Sequence, residues 1–240
     1  MSAETTRNLI TSRSLPVMEG RLSFQNLNAT RVIATTIGVV LGVFSGVNHG
    51  IFEVLQGNTP TTGLVIHAIG EAQRFWPKGT EDAFTIIPNF MVTGVLSIIV
   101  GLIIVIWSIW FLPTKHGRTV FLGLSILSFL VGGGIGQVFF FIPAYAFATR
   151  LNKPLTWWRK VLPRSTWPFL SKLWIVTLVL ATIIMLIGTE MGVFGFFPGL
   201  TDTAAIQDTA LFFILTSVAL YVISFIAGFG HELRRMEQSN

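Results

Sequence analysis

The sequence predicts an all-α, polytopic helical membrane protein, and composition, segment length and periodicity support this class. Of the 240 residues, 52% are hydrophobic and only 11% are charged, whereas a soluble domain has about 25% charged residues. About five apolar segments reach the roughly 20 residues that a helix needs to cross a bilayer. They cover residues 32–56, 86–112, 119–149, 173–196 and 209–229. Because these segments show no period-2 alternation, a transmembrane β-barrel is disfavoured.

Charge divides the chain into three predicted parts. A polar, basic N-terminal tail covers 1–30, a single transmembrane helical bundle covers 31–230, and a polar C-terminal tail covers 231–240. Lysine and arginine are concentrated in the two tails and in the 150–172 connection, whereas the 57–85 connection is rich in acidic residues. The positive-inside rule therefore places the basic parts in the cytoplasm. We expect a multi-pass protein of the cytoplasmic membrane of a prokaryote.

The first apolar segment, 32–56, carries a small residue at every fourth position. These residues are Ala34, Gly38, Gly42, Gly46 and Gly50. Small residues in this register let a second helix approach closely, so the pattern is typical of a glycine zipper. We expect this face to pack against other membrane helices, in a homo-oligomer or a hetero-oligomer.

The same segment becomes polar toward its end. His49, Glu53 and Gln56 fall on one helix face, one or two turns apart. Glu190, in a later apolar segment, lies at a similar depth if the first segment runs from the cytoplasm outward. Since ionisable groups at membrane depth are costly, such a cluster indicates an ion or proton site. The alternative is a capped and hydrated helix end.

The next histidine and glutamate repeat this spacing in "TTGLVIHAIGEAQRFW". Here His67 and Glu71 fall on one face and apolar residues on the other, which predicts a short interfacial amphipathic helix. Together with His49 and Glu53, they offer two imidazoles and two carboxylates to a metal such as zinc. An i,i+4 pair is also an ordinary helix contact. No other cofactor is predicted, and the chain has no cysteine.

The 119–149 segment has basic residues on both flanks, so its two ends are expected on the same side of the membrane. It is too short for two full spans but fits two half-helices that meet at a cluster of glycines. These are Gly132, Gly133, Gly134 and Gly136. Irregular backbone at this depth is tolerated where it is buried in protein or lines water. The alternative is one long tilted helix that crosses once.

The 150–172 connection interleaves basic residues with tryptophans, as in Trp157, Trp158 and Arg159. This combination fits an interfacial loop on an anionic leaflet. The net charge of +5 therefore has a membrane explanation, and no nucleic-acid partner is expected.

Function is less constrained than architecture. The sequence contains no GxSxG elbow, HExxH motif or P-loop. It does not decide whether the protein is an enzyme, but the missing motifs favour a protein without catalytic activity. The first hypothesis is a structural or accessory subunit whose glycine-rich first helix packs against partner helices. The alternative is a small ion or solute transporter, or a channel-like protein, that uses a cluster of His49, Glu53 and Glu190.

Overall fold

The computed structural model describes residues 27–238, so residues 1–26 of the predicted N-terminal tail and residues 239–240 lie outside the description. The described chain is mostly helical. Its helices are α1 (Ala29–Leu41), α2 (His49–Leu55), α3 (Phe90–Ile106), α4 (Gly117–Leu130), α5 (Val138–Ala148), α6 (Thr156–Val161), α7 (Trp167–Phe194) and α8 (Thr203–Gln238). Its strands are β1 (Val65–His67), β2 (Asp82–Thr85) and β3 (Val131–Gly134). The small sheet corrects the all-α prediction.

Within residues 27–238, four helices are long and apolar enough to cross a membrane. A π-helical stretch, Gly42–Asn48, joins α1 and α2 into one helix, Ala29–Leu55. The others are Phe90–Phe111, Arg164–Phe194 and Thr203–Gln238. They correspond to four of the five apolar segments, and they support a multi-pass membrane protein.

The remaining segment, 119–149, forms two shorter apolar helices, and a single long helix is therefore wrong. α4 ends where β3 begins, and a short 3-10 turn leads from β3 into α5. Gly132 has φ of +106°, a conformation outside the helical region that glycine adopts easily. The Arg118 guanidinium donates to the carbonyl oxygen of Leu151 at 3.4 Å. Because the start of α4 and the end of α5 lie together, we call residues 117–148 the α4–α5 hairpin.

The sheet joins the tip of this hairpin to the connection between α2 and α3. β1 pairs antiparallel with β2, and β2 pairs antiparallel with β3, with Ala83 opposite both Ile66 and Gly134. The amphipathic helix predicted around His67 is therefore wrong. Ile66 is buried between two exposed neighbours, which is the period-2 pattern of a strand with one covered face.

Hydrogen bonds and an ion pair hold the two ends of the bundle. At the basic end, where α1, α4 and α7 begin, the Ala29 amide donates to Glu232 of α8 at 2.6 Å. Arg235 in turn pairs with Glu232 at 2.7 Å. We call the opposite end, which carries the three strands, the sheet end. There the Trp76 indole donates to the carbonyl oxygen of Gly192 in α7 at 2.9 Å. The first and last helices at the basic end and the connection between α2 and α3 at the opposite end are thus held by specific hydrogen bonds.

The largest apolar core lies among α1, α5, α7 and α8. It includes Ile33, Phe147, Trp174 and Phe229, each less than a tenth exposed. The Phe147 and Phe229 rings lie 4.6 Å apart. Burial of these large side chains fixes the first helix against the hairpin and the last two helices.

The glycine face of the first helix lies against α3 of the same chain. A Cβ added to Gly101 would lie 2.5 Å from the Gly42 carbonyl oxygen, and one added to Gly94 would lie 2.6 Å from that of Gly50. Gly46 contacts Gly101 as well. Gly38 contacts the side chain of Ser108 just beyond α3, and Ala34 is buried in the main core. Glycine at these positions lets the two backbones touch.

Candidate functional site

A cavity of about 350 Å³ lies among the first helix, the α4–α5 hairpin, α7 and α8. Its volume is in the range of small-molecule sites. The apolar lining comprises Ile37, Val40, Leu41, Phe44, Ile135, Phe140, Met185 and Ile214. The polar lining comprises Ser45, His49, Glu81, Asp82, Gln137, Thr189 and Tyr221. Since Asp82 is exposed, the cavity reaches the surface at the sheet end.

His49 and Glu81 form the central polar pair of this cavity. His49 is the first residue of α2, where the π-helical stretch ends, and its side chain is only 7% exposed. Its Nε2 hydrogen-bonds the carboxylate of Glu81, which comes from the loop just before β2. Burial raises the pKa of Glu81, but the charge of His49 and its hydrogen bond outweigh burial and hold the pKa below its ordinary value. Glu81 is therefore an anion at neutral pH.

β3 brings a glycine strand against the first helix at this point. A Cβ on Gly134 would lie 2.6 Å from Cε1 of His49, and one on Gly132 would collide with the carboxylate of Glu53. The amide of Gly134 donates to Ser45 Oγ at 3.0 Å. The glycines are thus needed for close approach to polar side chains, and Gly136 beyond them faces open space.

Glu53 is the most deeply buried carboxylate of the described chain, with 0% of its surface exposed. Neither of its carboxylate oxygens has a hydrogen-bond partner among residues 27–238. A buried charge without partners is strongly unfavourable unless a proton or cation neutralises it. Glu53 is one helical turn from His49, and both lie against β3.

The other two residues of the predicted polar cluster have different positions. Gln56 donates from its amide to the carbonyl oxygens of His67 and Ala68, at 3.1 and 2.8 Å, and so ties α2 to β1. Glu190 is exposed and lies within electrostatic range of Glu81, and it is not part of the cavity lining. The structure therefore brings His49 and Glu53 together and leaves Gln56 and Glu190 at the periphery.

Three of the four residues proposed as metal ligands pair with other side chains, and Glu53 has no hydrogen-bond partner among residues 27–238. His67 pairs with Asp82 at 3.0 Å, and Glu71 pairs with Arg74 at 3.0 Å. Within residues 27–238, no group of three or more His, Asp or Glu side chains is close enough to hold a metal. The structure thus does not gather His49, Glu53, His67 and Glu71 into one site.

Sequence reasoning missed Glu81, Asp82, Gln137 and Tyr221 as lining residues. Glu81 and Asp82 belong to the acidic 57–85 connection, so their charge was visible but their contact with the first helix was not. Gln137 follows directly on the glycine cluster, which was the available signal for a polar hairpin tip.

Carboxylates at one end and aromatic walls formed by Phe44, Phe140 and Tyr221 make the cavity suited to a small organic cation. Carboxylates attract such a cation, and aromatic faces bind it by cation–π interaction. The chain matches no protein-family model, no curated protein and no solved structure.

Proposed function

We propose that this protein is a membrane transporter that binds a small organic cation in the cavity beside His49 and Glu81. The observation that supports this most directly is the combination of apolar and aromatic walls with Glu81 and Asp82 at the open end. Specific ligand sites are commonly apolar pockets with a few well-placed polar groups. Glu190, which lies within electrostatic range of Glu81, adds a third carboxylate, so the field near Glu81 favours cations over anions.

The proposed topology has the basic end in the cytoplasm and the sheet end outside, in the cytoplasmic membrane of a prokaryote. The positive-inside rule supports this orientation. The α4–α5 hairpin then enters from the cytoplasmic side and returns to it, and its glycine tip is covered by protein, as irregular backbone in a membrane requires. In α6, the exposed Trp157 and the basic Arg159 and Lys160 are suited to an anionic leaflet.

The first sequence-based hypothesis, a structural or accessory subunit, rested on a glycine face seeking a partner helix. That face lies against α3, where Gly42 meets Gly101 and Gly50 meets Gly94. A partner chain is not needed to explain the glycine spacing. The ligand cavity has no counterpart in a purely structural role, so we favour transport.

Binding of benzyltrimethylammonium to the purified protein in nanodiscs tests this proposal. We expect saturable binding that Asp82→Asn and Glu81→Gln each weaken by roughly fivefold, since one solvent-screened ion pair contributes up to about 1 kcal/mol. Asp208→Asn is the matched control, because Asp208 is exposed in α8 and is not part of the cavity lining.

Benzenesulfonate, an anion of similar size, is expected not to bind. Isothermal titration calorimetry measures all these affinities, and counterflow of labelled benzyltrimethylammonium in proteoliposomes measures transport. Equal binding of the cation and the anion, or equal affinities in Asp82→Asn and Asp208→Asn, would contradict the proposal.

A further inference from the structure

Glu53 is a buried acid that cation binding alone does not explain. It lies one helical turn beyond His49 in the first membrane-length helix, and it is 0% exposed. The elements with the most contact to α2 are α3, the π-helical stretch and β3, and none of them carries an ionisable side chain. The 57–85 connection also touches α2, through Glu81 at His49, and α7, which carries Glu190, shares an apolar cluster with it through Val193 and Phe52. On α2, the ionisable neighbour of Glu53 is His49, and His49 is hydrogen-bonded in turn to Glu81.

Several buried polar atoms around the glycine strand lack hydrogen-bond partners among the described residues. They are both carboxylate oxygens of Glu53, Nδ1 of His49, Oγ of Ser128 and Nε2 of Gln137. Buried polar groups are normally hydrogen-bonded, so a group of unpaired ones calls for an explanation. Glu53 contacts Gly132 of β3, and His49 contacts Gly134 of the same strand.

From this arrangement we propose that Glu53 is a proton-binding site connected to the sheet end through His49 and Glu81. A metal ion is a poorer occupant, because hard cations require several oxygen ligands and no group of three or more His, Asp or Glu side chains within residues 27–238 can hold one. A single buried carboxylate needs only one proton to become neutral. Buried acids of this kind form the proton relays of many membrane transporters.

The relay consists of proton transfers only. The relay starts from a neutral His49 that carries its proton on Nδ1. A hydronium ion at the sheet end protonates the Glu81 carboxylate and becomes water, and Glu81 passes this proton to Nε2 of His49, which gives the His49–Glu81 ion pair. The imidazole then releases its other ring proton, from Nδ1, toward the Glu53 carboxylate one turn away, and an O–H bond forms there. The reverse sequence returns the proton to water and leaves Glu53 as an anion.

The coupling between proton binding at Glu53 and cation binding in the cavity rests on the proposed function. A cation in the cavity raises the positive potential near His49 and Glu53, and so favours release of the proton. By thermodynamic linkage, protonation then weakens cation binding by the same factor. The protein would therefore exchange protons for organic cations.

Infrared difference spectroscopy of the purified full-length protein tests the proton site directly. We expect the wild type to show the C=O stretching band of a protonated carboxylic acid in a buried environment at neutral pH. Glu53→Gln is expected to abolish this band, whereas Glu71→Gln, which removes an exposed acid at the same end, keeps it. In Glu53→Asp, which retains an acid should Glu53→Gln fail to fold, the band is expected to shift. A band unchanged in either Glu53 variant, or absent from the wild type, overturns the proposal.

His49→Gln tests the relay separately. We expect the band to persist but its hydrogen–deuterium exchange to slow by at least tenfold, and an unchanged exchange rate overturns the relay. Benzyltrimethylammonium, added to weakly buffered wild-type protein with a pH indicator, is expected to release protons, and Glu53→Gln is expected to release none. If the cation does not bind at all, the proposed transport function fails while the infrared band still reports on Glu53.

Discussion

His49 and Glu81 are 32 positions apart in the sequence, and their contact organises the open end of the cavity. The spacing of His49 and Glu53 on one helix face was visible from the sequence, because the helical period alone determines it. The contact with Glu81 was not visible, because it depends on how the 57–85 connection folds back over the first helix.

Acidification is expected to weaken the His49–Glu81 contact. The pKa of Glu81 is lower in the folded protein than its ordinary value near 4.3. The stability that this gives is therefore fully present above that ordinary value, and it is lost as the pH falls through the lowered pKa of the folded state. We expect Glu81→Gln to reduce the Tm in detergent at neutral pH and to show a smaller further loss on acidification than the wild type.

Thermal melts at a series of pH values, with Asp208→Asn as the control, measure this difference. Asp208 is an exposed carboxylate at the same end of the bundle, so its variant is expected to follow the wild type. Parallel loss of Tm in the wild type and Glu81→Gln would show that the pair does not contribute.

Among the elements, the helices of membrane length were predictable and the strands were not. Runs of about 20 apolar residues indicate a spanning helix wherever they occur. β1 has only three residues, Val65–His67, and its conformation depends on pairing with β2. Local periodicity favoured an amphipathic helix there, and long-range pairing overrides such a preference.

The contact between the first helix and α3 is expected to tolerate no added methyl group at Gly101. The added Cβ would lie 2.5 Å from the carbonyl oxygen of Gly42, a backbone atom that cannot turn aside. We expect Gly101→Ala to lower the free energy of unfolding by about 1–3 kcal/mol, the usual cost of overpacking. Gly123→Ala, in α4, meets no atom within 4 Å and is expected to be neutral or slightly stabilising.

Reversible unfolding in mixed detergent micelles measures both variants. Equal stability of Gly101→Ala and Gly123→Ala would contradict the close helix contact.

At the scale of the whole molecule, composition predicted a bundle of membrane helices, and basic flanks suggested that the 119–149 segment begins and ends on one side. The sequence left a single crossing open as an alternative. The basic flanks favoured both ends on one side, whereas the segment is too short for two full spans. The approach of Arg118 to Leu151 and the pairing of β3 with β2 reconcile them. The hairpin places its glycine tip at the sheet end and returns to the basic end.

The central claim is that the α4–α5 hairpin carries β3 to His49 and Glu53 and then returns. Single-cysteine labelling with a membrane-impermeant maleimide tests it most directly, because the chain has no cysteine of its own. We expect cysteines at positions 116 and 160 to react from one side of the membrane, and those at positions 63 and 204 from the other. Reaction of positions 116 and 160 from opposite sides would contradict the hairpin and, with it, the cavity site.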